Sequence, residues 1–191
     1  METWLAQKEC KPPTRANLYF KDWSHKFNTY CEEMPFNPNL PYDLAFDFTN
    51  GGESPTVCQF WQQDEQGINY LIASRQYRHM DSQQVAQDII QFAQDLGIKS
   101  SPNLQIGDSA QMQEIRNLNT FNSDFFRIMP TKKITRKEGW PILKRLIKDN
   151  TGKRKLMVNE RYANTFIIEI EKAMRSRSDP DEIGKRCEDH E

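Results

Sequence analysis

The sequence predicts an α/β domain: a mixed sheet of five or more strands flanked by helices, preceded by an N-terminal arm that forms a β-hairpin. Three observations predict it. Residues 42–74 carry three consecutive strand patterns joined by short turns, which makes an antiparallel meander. After Leu104 the pattern alternates strand and helix, which demands parallel neighbours connected by crossover helices. Before Tyr42, the prolines Pro12, Pro13, Pro35, Pro38 and Pro41 punctuate a stretch that cannot hold a long helix. The expected division is an arm over residues 1–41 and a compact domain over residues 42–191.

In the arm, residues 17–21 and 27–31 are aromatic and β-favouring, and Asp22-Trp23-Ser24-His25-Lys26 between them suits a hairpin turn. Residues 44–48 read as a buried strand followed by a turn through Gly51-Gly52. Two more strands follow, at 56–61 and 69–74, joined through Gln66-Gly67. Asp81 and Gln84 then form a capping-box pattern. Behind it, Val85, Ala86, Ile89, Phe92, Ala93 and Leu96 share one helical stripe, and Gly97 ends the helix. A strand is expected at 104–107, a helix at 112–119 and a strand at 125–129, stopped by Pro130. Leu143, Leu146 and Ile147 mark the inner face of a helix between Lys137 and Lys148. A last strand at 155–158 and a helix at 162–175, with Ala163, Ile167, Ile170 and Met174 on one face, complete the chain. An antiparallel meander fused to parallel strand–helix units is the layout of a ribonuclease-H-like domain.

With 191 residues the chain can bury a substantial core without disulfides or a structural metal. Cys10, Cys31, Cys58 and Cys187 lie far apart and read as free thiols in a reducing compartment. No run of apolar residues is long enough for a membrane span, and the N-terminus lacks the pattern of a secretory signal. The net charge of -1 hides an asymmetry. Between Arg127 and Lys155 there are eleven Lys and Arg against two acids, Glu138 and Asp149. A basic block inside an otherwise acidic chain points to a polyanion partner.

Two acids stand at strand ends. Asp47 lies in the first strand of the compact domain, between Phe46 and Phe48, and Asp108 directly follows the fourth. Parallel strands bring their carboxyl ends to one edge, where ligands bind. If these two strands are neighbours, the carboxylates project side by side and repel unless a cation intervenes. A hard divalent ion resolves the conflict, and two ions roughly 3.5–4 Å apart suit phosphodiester hydrolysis. An Asp in such a place is more often a turn or cap residue, and Asp108-Ser109 could cap the next helix. The pairing, with basic residues downstream, favours the metal site. Lys132 and Lys133 follow the strand beside the acidic edge and are placed to hold the scissile phosphate. Lys144, Arg145 and Lys148 are candidates for flanking phosphates, with Lys153-Arg154-Lys155 as a rim. His25 and His79 have no ligand-spaced partners and read as structural, and Trp61 and Trp140 as core.

These residues resemble a known family. Residues 44–56, Leu-Ala-Phe-Asp-Phe-Thr-Asn-Gly-Gly-Glu-Ser-Pro-Thr, are similar to the first-strand motif of the nuclease domain of tailed-bacteriophage terminase large subunits. Ile106-Gly107-Asp108-Ser109-Ala110 resembles its second acidic motif, and residues 127–133 with the helix after them resemble its strand–lysine–helix segment. Glu188-Asp189-His190-Glu191 resembles the start of its terminal motif, where a His precedes the last catalytic Asp by a few positions. The resemblance runs in order from Leu18 to the end of the chain. It implies a Mg²⁺- or Mn²⁺-dependent endonuclease that cuts concatemeric double-stranded DNA, in the host cytoplasm, as it is packaged. Asp47 and Asp108 are then the central metal ligands, Glu53 supports the second ion, and His190 is the terminal His. The Asp expected after His190 falls beyond Glu191, which leaves Asp189 or Glu191 as imperfect substitutes. The implied partners are DNA, a terminase ATPase domain, the small terminase subunit and the portal, with no membrane. No Gly-x-x-x-x-Gly-Lys-Ser/Thr pattern occurs, so a motor would reside elsewhere.

Two other classes compete. A recombinase, integrase or junction resolvase of the same layout needs an acid on a late helix, where Glu169 and Glu171 lie. In a non-catalytic DNA-binding or assembly module, Asp47 and Asp108 are structural.

Overall fold

The computed structural model describes residues 18–31, 36–49, 54–132 and 134–173, and every statement below concerns these residues. The chain runs α1 (His25–Asn28), β1 (Thr29–Tyr30), β2 (Tyr42–Asp47), β3 (Thr56–Gln63), β4 (Asn69–Tyr77), α2 (Ser82–Asp95), β5 (Leu104–Asp108), α3 (Met112–Phe121), β6 (Met129–Thr131), α4 (Arg136–Ile147), β7 (Leu156–Asn159) and α5 (Asn164–Lys172). The strands form one seven-stranded mixed sheet in the order β1-β7-β4-β3-β2-β5-β6. Strands β2, β3 and β4 are antiparallel, as the short turns require, whereas β2–β5, β5–β6, β4–β7 and β1–β7 are parallel.

Side-chain alternation assigns the two faces. Tyr42, Leu44 and Phe46 of β2, with Cys58 and Phe60 of β3, are buried under α2 and α3, which contribute Val85, Ile89, Phe92, Ile115 and Leu118. The capping box forms as expected. The Asp81 carboxylate accepts from the Gln84 amide at 2.8 Å, and the Asp81 amide donates to Gln84 Oε1 at 3.0 Å. Among the described residues, the opposite face is covered only towards the β4–β7 side. There Ile147 of α4 and Ile167 and Ile170 of α5 pack on Leu71, Leu156 and Val158, with Trp23, Trp61, Trp140 and Phe166 around them. Over β2 and β3 that face carries Asp43, Ala45, Asp47, Val57 and Gln59, none of them fully buried.

Among the described residues, the two segments expected to form an N-terminal hairpin do not pair with each other. Residues 19–22 turn, α1 follows, and β1 joins the sheet edge in parallel with β7, pairing Thr29 with Val158 and Tyr30 with Asn159. A two-stranded hairpin is marginal alone, whereas β7 offers an existing edge to pair with. Asn28 fastens the junction. It is completely buried, and its Nδ2 donates to the carbonyls of Ile147 at 3.1 Å and Leu156 at 3.0 Å. Its Oδ1 accepts from the Ser24 amide at 3.1 Å and from Arg154.

The strand expected at 125–129 is displaced to Met129–Thr131. Phe126 and Ile128 are buried as their apolarity predicts, yet side chains take the place of a ladder. Asn119 Oδ1 accepts from the Ile128 amide at 2.8 Å, Asn119 Nδ2 donates to the Ile128 carbonyl at 3.1 Å, and Gln105 Nε2 donates to the Phe125 carbonyl at 2.7 Å. Backbone groups satisfied by carboxamides need no strand partner.

Candidate functional site

The β2–β5 ladder sets the geometry of the acidic pair. Ala45 lies opposite Ile106 and Phe46 opposite Gly107, so the next step of the same register sets Asp47 beside Asp108. Phe46 and Gly107 point into the core, so alternation turns Asp47 and Asp108 to the other face. On the core side, Gly107 leaves room for the side chains packed against it. A Cβ on it would meet Phe48 Cε2 at 2.9 Å and Ile128 Cγ2 at 3.3 Å. Asp47 is exposed. Asp108 also caps the short 3-10 turn Ser109–Gln111, accepting from the Ala110 amide at 2.9 Å.

Asp47 lines a cavity of about 430 Å³ on the open face. Its floor includes Ala45, Gln59 and Ser74 in one rung and Asp47, Val57 and Gln76 in the next, as the ladders pair them. Phe166 and Glu169 of α5 close one side. Glu171, two residues on, has a different role. Its Oε1 accepts from Trp23 Nε1 at 3.1 Å and pairs with His25 Nδ1 at 2.9 Å, while His25 Nε2 lies 3.3 Å from Glu160. The hydrogen bond to Glu171, joined by the charges of Glu171 and Glu160 and opposed by burial, raises the His25 pKa. Among the described residues, no three His, Cys, Asp or Glu side chains gather to hold a metal ion.

The basic residues divide into two groups. Lys132 is exposed directly after Thr131, the partner of Asp108 in the β5–β6 ladder, and so stands at the acidic edge. Lys144, Arg145 and Lys148 line a separate cavity of about 220 Å³ with Tyr19, Phe20, Lys21 and Asp22. Helix α4 reaches the sheet there beside β7, four strands and ~19 Å from β5. Lys144 Nζ lies 3.6 Å from the centre of the Tyr19 ring. Arg154 serves packing instead of a rim, donating to the Asp22 carbonyl at 2.9 Å and to Asn28. Trp61 and Trp140 are partly buried against the core, as expected. Glu53, Lys133, Asp189, His190 and Glu191 lie outside the described residues, as do Cys10, Met174 and Cys187. Sequence reasoning overlooked Gln59, Ser74 and Gln76. Their signal was uncharged polar residues at the outward positions of β3 and β4.

No protein-family model and no curated protein matches the chain. Solved structures do. The large terminase of a thermophilic bacteriophage matches 87% of this chain with a TM-score of 0.65 at 11% identity. This chain spans 40% of the length of that protein. The nuclease domain of the P22 large terminase matches 88% of this chain and 84% of its own, with a TM-score of 0.67 at 13% identity. The nuclease domain of the large terminase of bacteriophage SPP1, solved with bound Mn, matches 85% of this chain and 88% of its own, with a TM-score of 0.51 at 18% identity. The protein described here therefore has the ribonuclease-H-like fold of phage large-terminase nuclease domains.

Proposed function

We propose that the chain is the divalent-metal-dependent endonuclease unit of a viral DNA-packaging large terminase, hydrolysing phosphodiester bonds of concatemeric double-stranded DNA with low sequence specificity. The observation that carries this reading is the register that sets Asp47 beside Asp108 on the open face of a terminase-nuclease fold. Mg²⁺ or Mn²⁺ is held by one or two carboxylates completed by water and substrate phosphate, and this pair supplies that minimum. Glu53, Asp189 and His190 are the further candidates the resemblance implies. Such ions, when bound, supply a nucleophilic water at neutral pH and offset phosphate charge. The chain's own residues bind and orient the DNA. Lys132, with Lys133, opposes charge on the scissile phosphate, and Lys144, Arg145 and Lys148 hold phosphates farther along the duplex without reading bases. The ATPase domain, small subunit and portal are the partners this reading implies, in the host cytoplasm during assembly. Among the described residues no helix is long and apolar enough to cross a membrane.

Plasmid nicking tests the proposal. Nicking is expected with Mn²⁺, more weakly with Mg²⁺, and not in EDTA. Asp47→Asn and Asp108→Asn should each slow it by at least about a hundredfold, the scale of losing one transition-state-stabilising group. Activity indifferent to EDTA overturns the metal mechanism. One observation favours a second reading, a recombinase- or resolvase-type nuclease: Glu169 of α5 lines the same cavity as Asp47. Glu169→Gln distinguishes them, since loss of cleavage with Mn²⁺ binding retained assigns Glu169 the late-helix role.

A further inference from the structure

Beside Asp47 the cavity floor also carries uncharged polar side chains, Gln59, Ser74 and Gln76, and one of them has a defined orientation. Trp61 Nε1 donates to Gln59 Oε1 at 3.2 Å. An indole N–H only donates, so the oxygen of the Gln59 carboxamide must face it. The amide NH₂ is thereby turned away from Trp61, and among the described residues no side chain or carbonyl accepts from it. Gln59 lies opposite Ala45 and opposite Ser74, on the face that carries Asp47. Asp47 is its diagonal neighbour on β2, ~7–8 Å away. A cavity of about 430 Å³ is of ligand-binding size, so this floor can take one unit of a larger molecule.

We infer that Gln59 is a substrate-binding residue whose NH₂ donates to a backbone phosphate oxygen of the DNA strand next to the scissile phosphate, with Trp61 as the positioning residue that fixes its orientation. This rests on the nuclease reading above. Two N–H donors match an acceptor-only phosphodiester, whereas a carboxylate at this position would repel it. The contact grips the backbone and carries no base preference.

The test uses the whole chain and a fluorescent duplex DNA, with anisotropy read in Ca²⁺ and nicking kinetics in Mn²⁺. Gln59→Glu is isosteric and keeps the oxygen that Trp61 needs, so it separates donor loss from misfolding. It should weaken DNA binding by more than about tenfold, and Gln59→Leu by about tenfold, the scale of a hydrogen bond to a charged group. Gln59→Leu should leave Mn²⁺ affinity unchanged. Trp61→Phe should raise KM about threefold with kcat unchanged, and add nothing further in the Gln59→Glu background. Gln59→Glu binding and nicking DNA like the wild type overturns the inference alone. A wild-type chain that binds no Mn²⁺ or nicks no DNA overturns the nuclease reading, and this inference with it.

Discussion

Gly107 shows how one residue without a side chain makes room in the core beside a strand that ends in an acid. It sits under the Phe48 ring, one residue before Asp108, where its hydrogen occupies the space a methyl would need. Gly107→Ala has to displace Phe48 or Ile128, and overpacking of this kind costs about 1–3 kcal/mol. The expected outcome is a lower urea midpoint together with a nicking rate reduced more than stability explains, because β5 shifts relative to β2. An unchanged midpoint would show that Phe48 moves aside freely. The same scale explains the limits of sequence reading at the site. Asp47 and Asp108 were visible as candidates because charge interrupts apolar strand patterns there. Gln59 was not, because an outward glutamine is ordinary until the Trp61 bond gives it a direction.

At the scale of elements, the meander, the capped helix α2 and the parallel strand–helix units were legible because each follows from period and turn chemistry. The exceptions arose where tertiary partners replaced local ones. The aromatic segments of the arm have strand propensity, but a sheet edge far along the chain outcompeted their mutual pairing. Phe126 and Ile128 have the burial of a strand without its ladder, because Asn119 serves both backbone groups of Ile128. Asn119→Ala leaves those groups unsatisfied at a cost of about 2 kcal/mol. Chemical denaturation checks this, and hydrogen exchange at the Ile128 amide should accelerate. Exchange as slow as in the wild type would mean another acceptor substitutes.

Across the whole molecule, the start and end of the described chain are joined by His25, which bridges Glu160 before α5 and Glu171 within it. Because folding raises the His25 pKa, the folded state binds that proton more tightly. The stabilisation is therefore complete below the unfolded value of about 6.5 and is lost as pH rises through the raised one. The urea midpoint of the wild type should fall between about pH 5.5 and about pH 8.5 by more than that of His25→Gln. Identical pH trends would mean that the bridge contributes nothing.

The sheet's two outermost strands have a further consequence. β1 has two residues and β6 three, the latter including Pro130, which lacks an N–H to offer. A wide open sheet with long rims is a template on which other chains polymerise. Here both described rims end almost as soon as they begin, so they offer a neighbouring chain only a few backbone groups to pair with.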